Sequence, residues 1–155
     1  MRGRRLQEDA LLDTADEVLR RKRCVLRIRT EGCRNQVTFK GPVQPSPLKV
    51  REEIETVVGD ADALMSLFDR LGYRPWFRYQ KYREEYAYED VVVAIDETPV
   101  GVFIELEGGE RGIEAMAALL GRGPGDYICD SYRTIFLQYC SENGVSPSNM
   151  VFEQS

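Results

Sequence analysis

The chain has 155 residues, 43% of them hydrophobic and 30% charged, with a formal net charge of −5. That length favours one domain with room for a core, and that composition excludes disorder. The acidic balance argues against binding a nucleic-acid polymer, which needs a basic surface, and the absence of histidine removes imidazole bases and imidazole metal ligands.

Arginine is dense from Met1 to Arg34, and acids cluster later. Met1–Arg5 is basic and is not expected to be ordered on its own. Leu6–Asp13 reads as a strand, and Asp13-Thr14-Ala15-Asp16 offers turn or capping chemistry. Strands follow at Cys24–Thr30 and Asn35–Lys40. Gly41-Pro42-Val43-Gln44-Pro45-Ser46-Pro47 is too proline-rich for a central strand, and Lys49–Val58 reads as the next one. Asp60 caps a helix with Leu64, Leu67, Phe68 and Leu71 at helical spacing, and Gly72 ends it. Tyr73–Tyr88 is a long aromatic-rich strand. Val91–Asp96 and Val102–Glu107 form a hairpin, followed by helices over Gly112–Leu120 and Ser131–Cys140 and a tail over residues 144–155.

Five of these segments alternate charge with hydrocarbon: Leu26-Arg27-Ile28-Arg29, Val37-Thr38-Phe39-Lys40, Arg51-Glu52-Glu53-Ile54-Glu55, Lys81-Tyr82-Arg83 and Phe103-Ile104-Glu105-Leu106-Glu107. Successive strand side chains point to opposite faces, so each segment collects its charges on one side. Any one of them alone reads as a solvated strand face. Five together, with both signs, suggest charges that face an enclosed polar space, with apolar faces covered by the amphipathic helices. The fold class is therefore α+β, an antiparallel closed β-barrel with a charged lumen and helices outside. Arg27, Arg29, Lys40, Arg51, Lys81 and Arg83 supply cations suited to phosphate oxygens, and Glu53, Glu55, Asp96, Glu105 and Glu107 supply carboxylates suited to Mg²⁺ or Mn²⁺. Cys24, Cys33, Cys129 and Cys140 show no Cys-x-x-Cys spacing and read as reduced thiols of a cytoplasmic protein. No apolar run approaches the ~18 residues of a membrane span, and no signal-peptide pattern opens the chain.

The order of these motifs resembles the CYTH superfamily, the triphosphate tunnel metalloenzymes named for class IV adenylate cyclase and thiamine triphosphatase. Tyr79-Gln80-Lys81-Tyr82-Arg83, Ile95-Asp96-Glu97-Thr98-Pro99-Val100-Gly101 and Ser131-Tyr132 agree with it, and the Asp96 and Phe103 stretches look most like the cyclase-type branch. The resemblance implies a single CYTH-like domain over 1–155 with an antiparallel triphosphate tunnel. It implies phosphate binding by Arg27, Arg29, Lys40, Arg51, Lys81 and Arg83, and catalytic roles for Lys81 and Asp96. Metal would be held by Glu105 and Glu107, with Glu53 and Glu55 joining the acidic set or orienting the arginines. It further implies a substrate such as ATP, thiamine triphosphate or inorganic triphosphate. Three activities follow from it: phosphohydrolase, adenylate cyclase, or a non-catalytic triphosphate-binding module. A homodimer is compatible with it. The family's opening strand carries Glu-x-Glu-x-Lys, which this sequence lacks, and Glu8-Asp9 does not match it. The expectation is a domain without that strand: its start lies upstream, or a partner chain fills the gap, or it is a reduced form with weak or no activity.

Overall fold

The computed structural model describes residues 1–45 and 50–153. The elements in chain order are β1 (Arg2–Asp13), α1 (Val18–Arg21), β2 (Val25–Glu31), β3 (Arg34–Lys40), β4 (Glu53–Val58) and α2 (Ala61–Arg70). They continue with β5 (Arg74–Tyr88), β6 (Val91–Thr98), β7 (Gly101–Gly108), α3 (Glu110–Leu119) and α4 (Tyr132–Asn143). The chain forms two compact units, Leu6–Gln80 and Met1–Arg5 with Lys81–Ser155, so β1 and β5 contribute residues to each.

In the unit Leu6–Gln80, antiparallel ladders join β1 to β2, β2 to β3 and β3 to β4. The register sets Ala10 opposite Ile28 and Leu26 opposite Phe39, so their apolar side chains share one face. Ala10, Leu12 and Ile28 are buried there, with Ala61, Leu64, Met65 and Phe68 of α2 packed against them. The Asp60 side chain accepts from the Ala63 N–H at 2.9 Å and fixes the helix start, while Gly72 takes a left-handed φ of 86° just past its end. Asp13 closes β1 by accepting from the backbone N–H groups of Thr14, Leu19 and Arg20 at 2.8–3.0 Å. The short α1 thus takes its start from a strand-end carboxylate, as the capping chemistry of Asp13–Asp16 suggested.

In the other unit, β5 pairs with β6 and β6 with β7. The β6–β7 turn is tight, because the Thr98 hydroxyl donates to the Gly101 carbonyl at 2.8 Å and accepts from the Val100 N–H at 3.2 Å. Helix α3 packs on β6 and β7. Its Gly112 allows a close approach there, since a Cβ would lie 2.6 Å from Val91 Cγ2 and 2.8 Å from Asp90 Oδ1. Helix α4 begins at Ser131, whose hydroxyl accepts from the Thr134 N–H at 3.2 Å.

Four expectations change. The sheet is antiparallel and the fold α+β, but among the described residues β4 and β7 each have a single strand neighbour, so no ladder closes a barrel. The basic N-terminus is part of a strand, because cross-strand partners hold it: Arg4 donates to Glu97 at 2.8 Å and lies over the Tyr82 ring at 3.6 Å. The C-terminal segment read as a tail is anchored, with Met150 1% exposed and Phe152 5.1 Å from the Tyr82 ring. The fourth strand starts at Glu53 and leaves Arg51 in the preceding connection, while Lys49 lies outside the described residues.

Candidate functional site

Every charged residue singled out in the sequence lies in one of two clusters, and each cluster belongs to one unit.

In the unit Leu6–Gln80, Arg27, Arg29, Lys40, Glu53 and Glu55 share the face of β2–β4 opposite the apolar core. The register makes this inevitable: Arg27 is opposite Thr38, Thr38 opposite Glu55 and Lys40 opposite Glu53. Asp9 of β1 lies opposite Arg29, and its side chain is fully buried. Arg29 grips it with two hydrogen bonds of 2.9 and 3.1 Å, while Arg27 Nε stands 3.4 Å away. Arg27 donates to the Thr38 hydroxyl at 3.2 Å, which donates in turn to Glu55 at 3.0 Å. Lys40 donates to Glu53 at 2.7 Å, and Arg51 reaches the same carboxylate at 3.6 Å. Four cations thus meet three carboxylates, a local excess of positive charge. Lys40 feels it: burial and the Arg27 charge depress its ammonium below the usual lysine range, although Glu53 opposes them. Among the described residues, Arg27 Nε is buried with no hydrogen-bond partner, standing 3.4 Å from the Asp9 carboxylate as an ion pair.

The second cluster is built on β5–β7. Lys81 and Arg83 project from one face of β5, Arg83 lies opposite Asp96, and Asp96 lies opposite Phe103. The Lys81 side chain is 2% exposed and the Asp96 side chain not at all. The Asp96 carboxylate accepts from Lys81 Nζ at 2.6 Å, from Arg83 at 2.7 Å on each oxygen, and from the Tyr132 hydroxyl at 2.6 Å. Burial works against its charge, but Arg83 and Lys81 outweigh that penalty and hold the carboxyl at about 2. Arg83 extends the network to Glu107 at 2.9 Å and to Glu105, and Lys81 Nζ stands 3.8 Å from Glu105. Burial disfavours the Glu105 charge as well, and Lys81 and Arg83 again reverse the balance and lower its pKa. Here two cations meet three carboxylates, an excess of negative charge.

Sequence reasoning missed Asp9 and Tyr132 as members of these clusters. Asp9 sits in β1 beside a glutamate and carries no motif, so only its register with Arg29 reveals it. Tyr132 was legible as the start of the last helix, but its hydroxyl's reach to Asp96 is set by tertiary packing. Helix α4 also departs from the expected layout: its first turn meets the charged face of β6–β7, where Tyr132 packs edge-on to Phe103 at 5.6 Å.

Comparison with known proteins agrees with this architecture. The sequence matches the CYTH domain family over residues 2–120. A candidate adenylate cyclase of Methanocaldococcus jannaschii is 36% identical over 105 residues, which is 67% of this chain. The chain spans 60% of the length of that relative. A Pyrococcus horikoshii protein of known structure is 27% identical and superposes with a TM-score of 0.75, covering 89% of this chain and 86% of its own. A candidate adenylyl cyclase of Hippeastrum, described with a dominant triphosphatase activity, shares the fold at 16% identity and a TM-score of 0.66 over 94% of this chain and 85% of its own. With the family match spanning both charged clusters, the chain belongs to the CYTH domain family.

Proposed function

We propose that the protein is a divalent-metal-dependent enzyme that binds and cleaves a triphosphate-bearing substrate. The observation that carries this reading is the buried Lys81–Asp96–Arg83 centre with Glu105 and Glu107 beside it. A buried ion cluster of this size is costly to keep for stability alone. Its chemistry suits phosphoryl transfer, where catalysis consists mainly of positioning and of stabilising charge on phosphate oxygens.

The residues present fit a hard divalent cation. Glu105 and Glu107 stand two residues apart on one face of β7 and offer only oxygen donors. Among the described residues, no group of three or more aspartate, glutamate or cysteine side chains could hold a metal ion unaided. Mg²⁺ commonly takes one or two carboxylates and completes its shell with phosphate oxygens and water. Glu105 and Glu107 would hold Mg²⁺ or Mn²⁺ with Asp96 nearby, and the bound ion would neutralise charge on the phosphates. Lys81 and Arg83 present cations to the phosphoryl oxygens. Asp96 stays ionised and fixes both cations, and Asp96 or a neighbouring glutamate would take the proton.

Arg27, Arg29, Lys40 and Arg51 supply further phosphate-binding groups, since the excess positive charge of their cluster favours a polyanion. The pairing of Glu53 with Lys40 and Arg51, and of Glu55 with Thr38 and Arg27, supports an orienting role for these two carboxylates rather than metal ligation. Cys24, Cys33, Cys129 and Cys140 are free thiols, and a cytoplasmic setting would keep them reduced. No helix among the described residues is long and apolar enough to cross a membrane.

A second reading, ATP cyclisation to cyclic AMP and pyrophosphate, is favoured by the M. jannaschii relative. Incubation of the purified protein with inorganic triphosphate, thiamine triphosphate and ATP, each with Mg²⁺ or Mn²⁺, separates the two. Hydrolysis of ATP yields ADP and orthophosphate, and cyclisation yields cyclic AMP and pyrophosphate. No product from any of the three substrates refutes both.

A further inference from the structure

Four consecutive cations, Arg20, Arg21, Lys22 and Arg23, close α1 and lead into β2. Arg20 is engaged: it pairs with Asp13 at 3.4 Å and with Glu17 at 2.9 Å, and its guanidinium lies over the Trp76 ring at 4.2 Å. Arg21, Lys22 and Arg23 are exposed and, among the described residues, have no ion pair. Arg27, Arg29, Lys40 and Arg51, further along the same unit, each have a carboxylate partner. Cations in a last helical turn serve the helix dipole. That accounts for Arg20 and Arg21, whereas Lys22 and Arg23 lie beyond the last helical residue. The turn that displays them is fixed, because the N–H groups of Lys22 and Cys24 donate to the Leu19 carbonyl and that of Arg23 to the Arg20 carbonyl, at 2.9–3.0 Å. This closure puts Arg23 at φ 57°, the left-handed position after a helix that glycine takes without cost. Any other side chain pays conformational energy there, yet an arginine stands in the place. A costly conformation held by well-made hydrogen bonds points to a use for the side chain it carries.

We infer that Arg21, Lys22 and Arg23 form an accessory anion site for a linear polyphosphate chain, holding the phosphates that extend beyond the Arg27–Lys40 cluster. The inference rests on the triphosphate reading above and widens its substrate class to longer chains. Val25, two residues past Arg23, lies opposite Lys40 in the ladder. Four residues of fully extended chain span about 14 Å at most, which bounds the separation of Arg23 from Arg27. The surroundings select the anion. The chain carries a net charge of −5, which opposes a broad anionic surface such as a bilayer or a nucleic-acid duplex. A thin chain can follow three neighbouring cations without bringing its charge near the acids. Single-stranded nucleic acid needs an open aromatic face for its bases, and the Trp76 ring near the patch already carries the Arg20 guanidinium. Polyphosphate needs no such face, and arginine forks with a lysine point charge match its oxygens.

Two variants of the full chain test the site. One combines Arg21→Gln, Lys22→Gln and Arg23→Gln, and the other is Arg23→Gly, which removes one charge together with the backbone cost. Binding of long-chain polyphosphate and of inorganic triphosphate is measured by calorimetry without metal, at several salt concentrations, with thermal unfolding alongside. The triple variant should bind the long chain about tenfold more weakly, with triphosphate affinity within about twofold of the natural protein. The slope of log K against log salt for the long chain should shrink by about 2, as three phosphate contacts are lost. Arg23→Gly should melt about 2 °C higher and still bind the long chain more weakly, because stability and binding oppose each other at this residue. Unchanged polyphosphate affinity in the triple variant overturns the inference. An equal loss for triphosphate overturns it as well, since the patch would then act only as a general field. A gain in stability for Arg23→Gly with no loss of binding overturns the role of Arg23. Single-stranded RNA, phosphatidylserine vesicles or a polyglutamate peptide, bound through the same three residues more tightly than polyphosphate, would overturn the choice of anion. If the natural protein cleaves no triphosphate, the functional reading has failed, and metal-free binding still decides whether the patch holds a phosphate chain.

Discussion

Replacing Asp96 with asparagine tests whether the buried centre is held by charge. The side chain is fully buried and accepts from Lys81, Arg83 and Tyr132 at 2.6–2.7 Å. Asparagine keeps the shape but removes the negative charge and turns one acceptor into a donor that points at cations. Breaking a buried ion pair by removing one partner costs about 3–5 kcal/mol. Glu105 and Glu107 remain paired with Arg83, which places the loss near the lower end, about 3 kcal/mol. A second route gives a similar size. A carboxyl held at about 2 in the folded chain, against 3.8 for the ordinary group, links to about 2–3 kcal/mol of stability. Because the folded value is depressed, that contribution is complete above about pH 5 and disappears as the pH falls towards 2. Urea unfolding followed by circular dichroism, at pH 7 and at steps down to pH 2.5, measures both quantities. Asp96→Asn should lose about 3 kcal/mol at pH 7, and its deficit should narrow as the natural protein's carboxylate protonates. A loss below about 1 kcal/mol at pH 7, or a deficit that does not change with pH, would refute the reasoning.

The two arginines bound to Asp9 should separate binding from folding. Arg29→Ala removes both hydrogen bonds to a fully buried carboxylate and should cost about 3 kcal/mol in urea unfolding, whereas Arg27→Ala should cost less and instead weaken tripolyphosphate binding about tenfold in calorimetry. Glu105→Gln with Glu107→Gln should abolish the dependence of turnover on Mg²⁺ or Mn²⁺, and an unchanged metal titration contradicts their role as ligands. Lys40 carries a depressed pKa that a polyanion would raise, so tripolyphosphate binding at pH 9–10 should take up protons, detectable as a buffer-dependent binding enthalpy. Gly112→Ala should lower stability by about 1–2 kcal/mol despite alanine's higher helix propensity, because its methyl group has no room beside Val91 and Asp90.

The sequence made the strand faces legible because alternation is a local property. Once Arg27 and Arg29 alternate with Leu26 and Ile28, their shared face follows from the pleat alone. Pairing was another matter. Nothing local marks Asp9 as the anion held by Arg29, since that depends on the β1–β2 register. The same holds for Tyr132, whose hydroxyl meets Asp96 across 36 residues. The ordered N-terminus was missed because five consecutive residues rich in arginine read as solvated, whereas Glu97 and Tyr82 hold Arg4. The strand read from Lys49 begins later because Gly41 and Gln44 donate to the carbonyls of Glu52 and Val50, which uses that backbone for a connection. The closed barrel was inferred from charge burial, yet a pleated face can bury its charges in pairs, as Asp96 and Asp9 do, without a closed ladder.

The most direct test of the central claim is product analysis after incubating the purified protein with inorganic triphosphate and Mg²⁺ or Mn²⁺, beside a Lys81→Met control. Orthophosphate and pyrophosphate should form in equal amounts, dependent on the metal and lost in the control. An absence of product here and with ATP and thiamine triphosphate, or product formation that survives Lys81→Met, would contradict that claim.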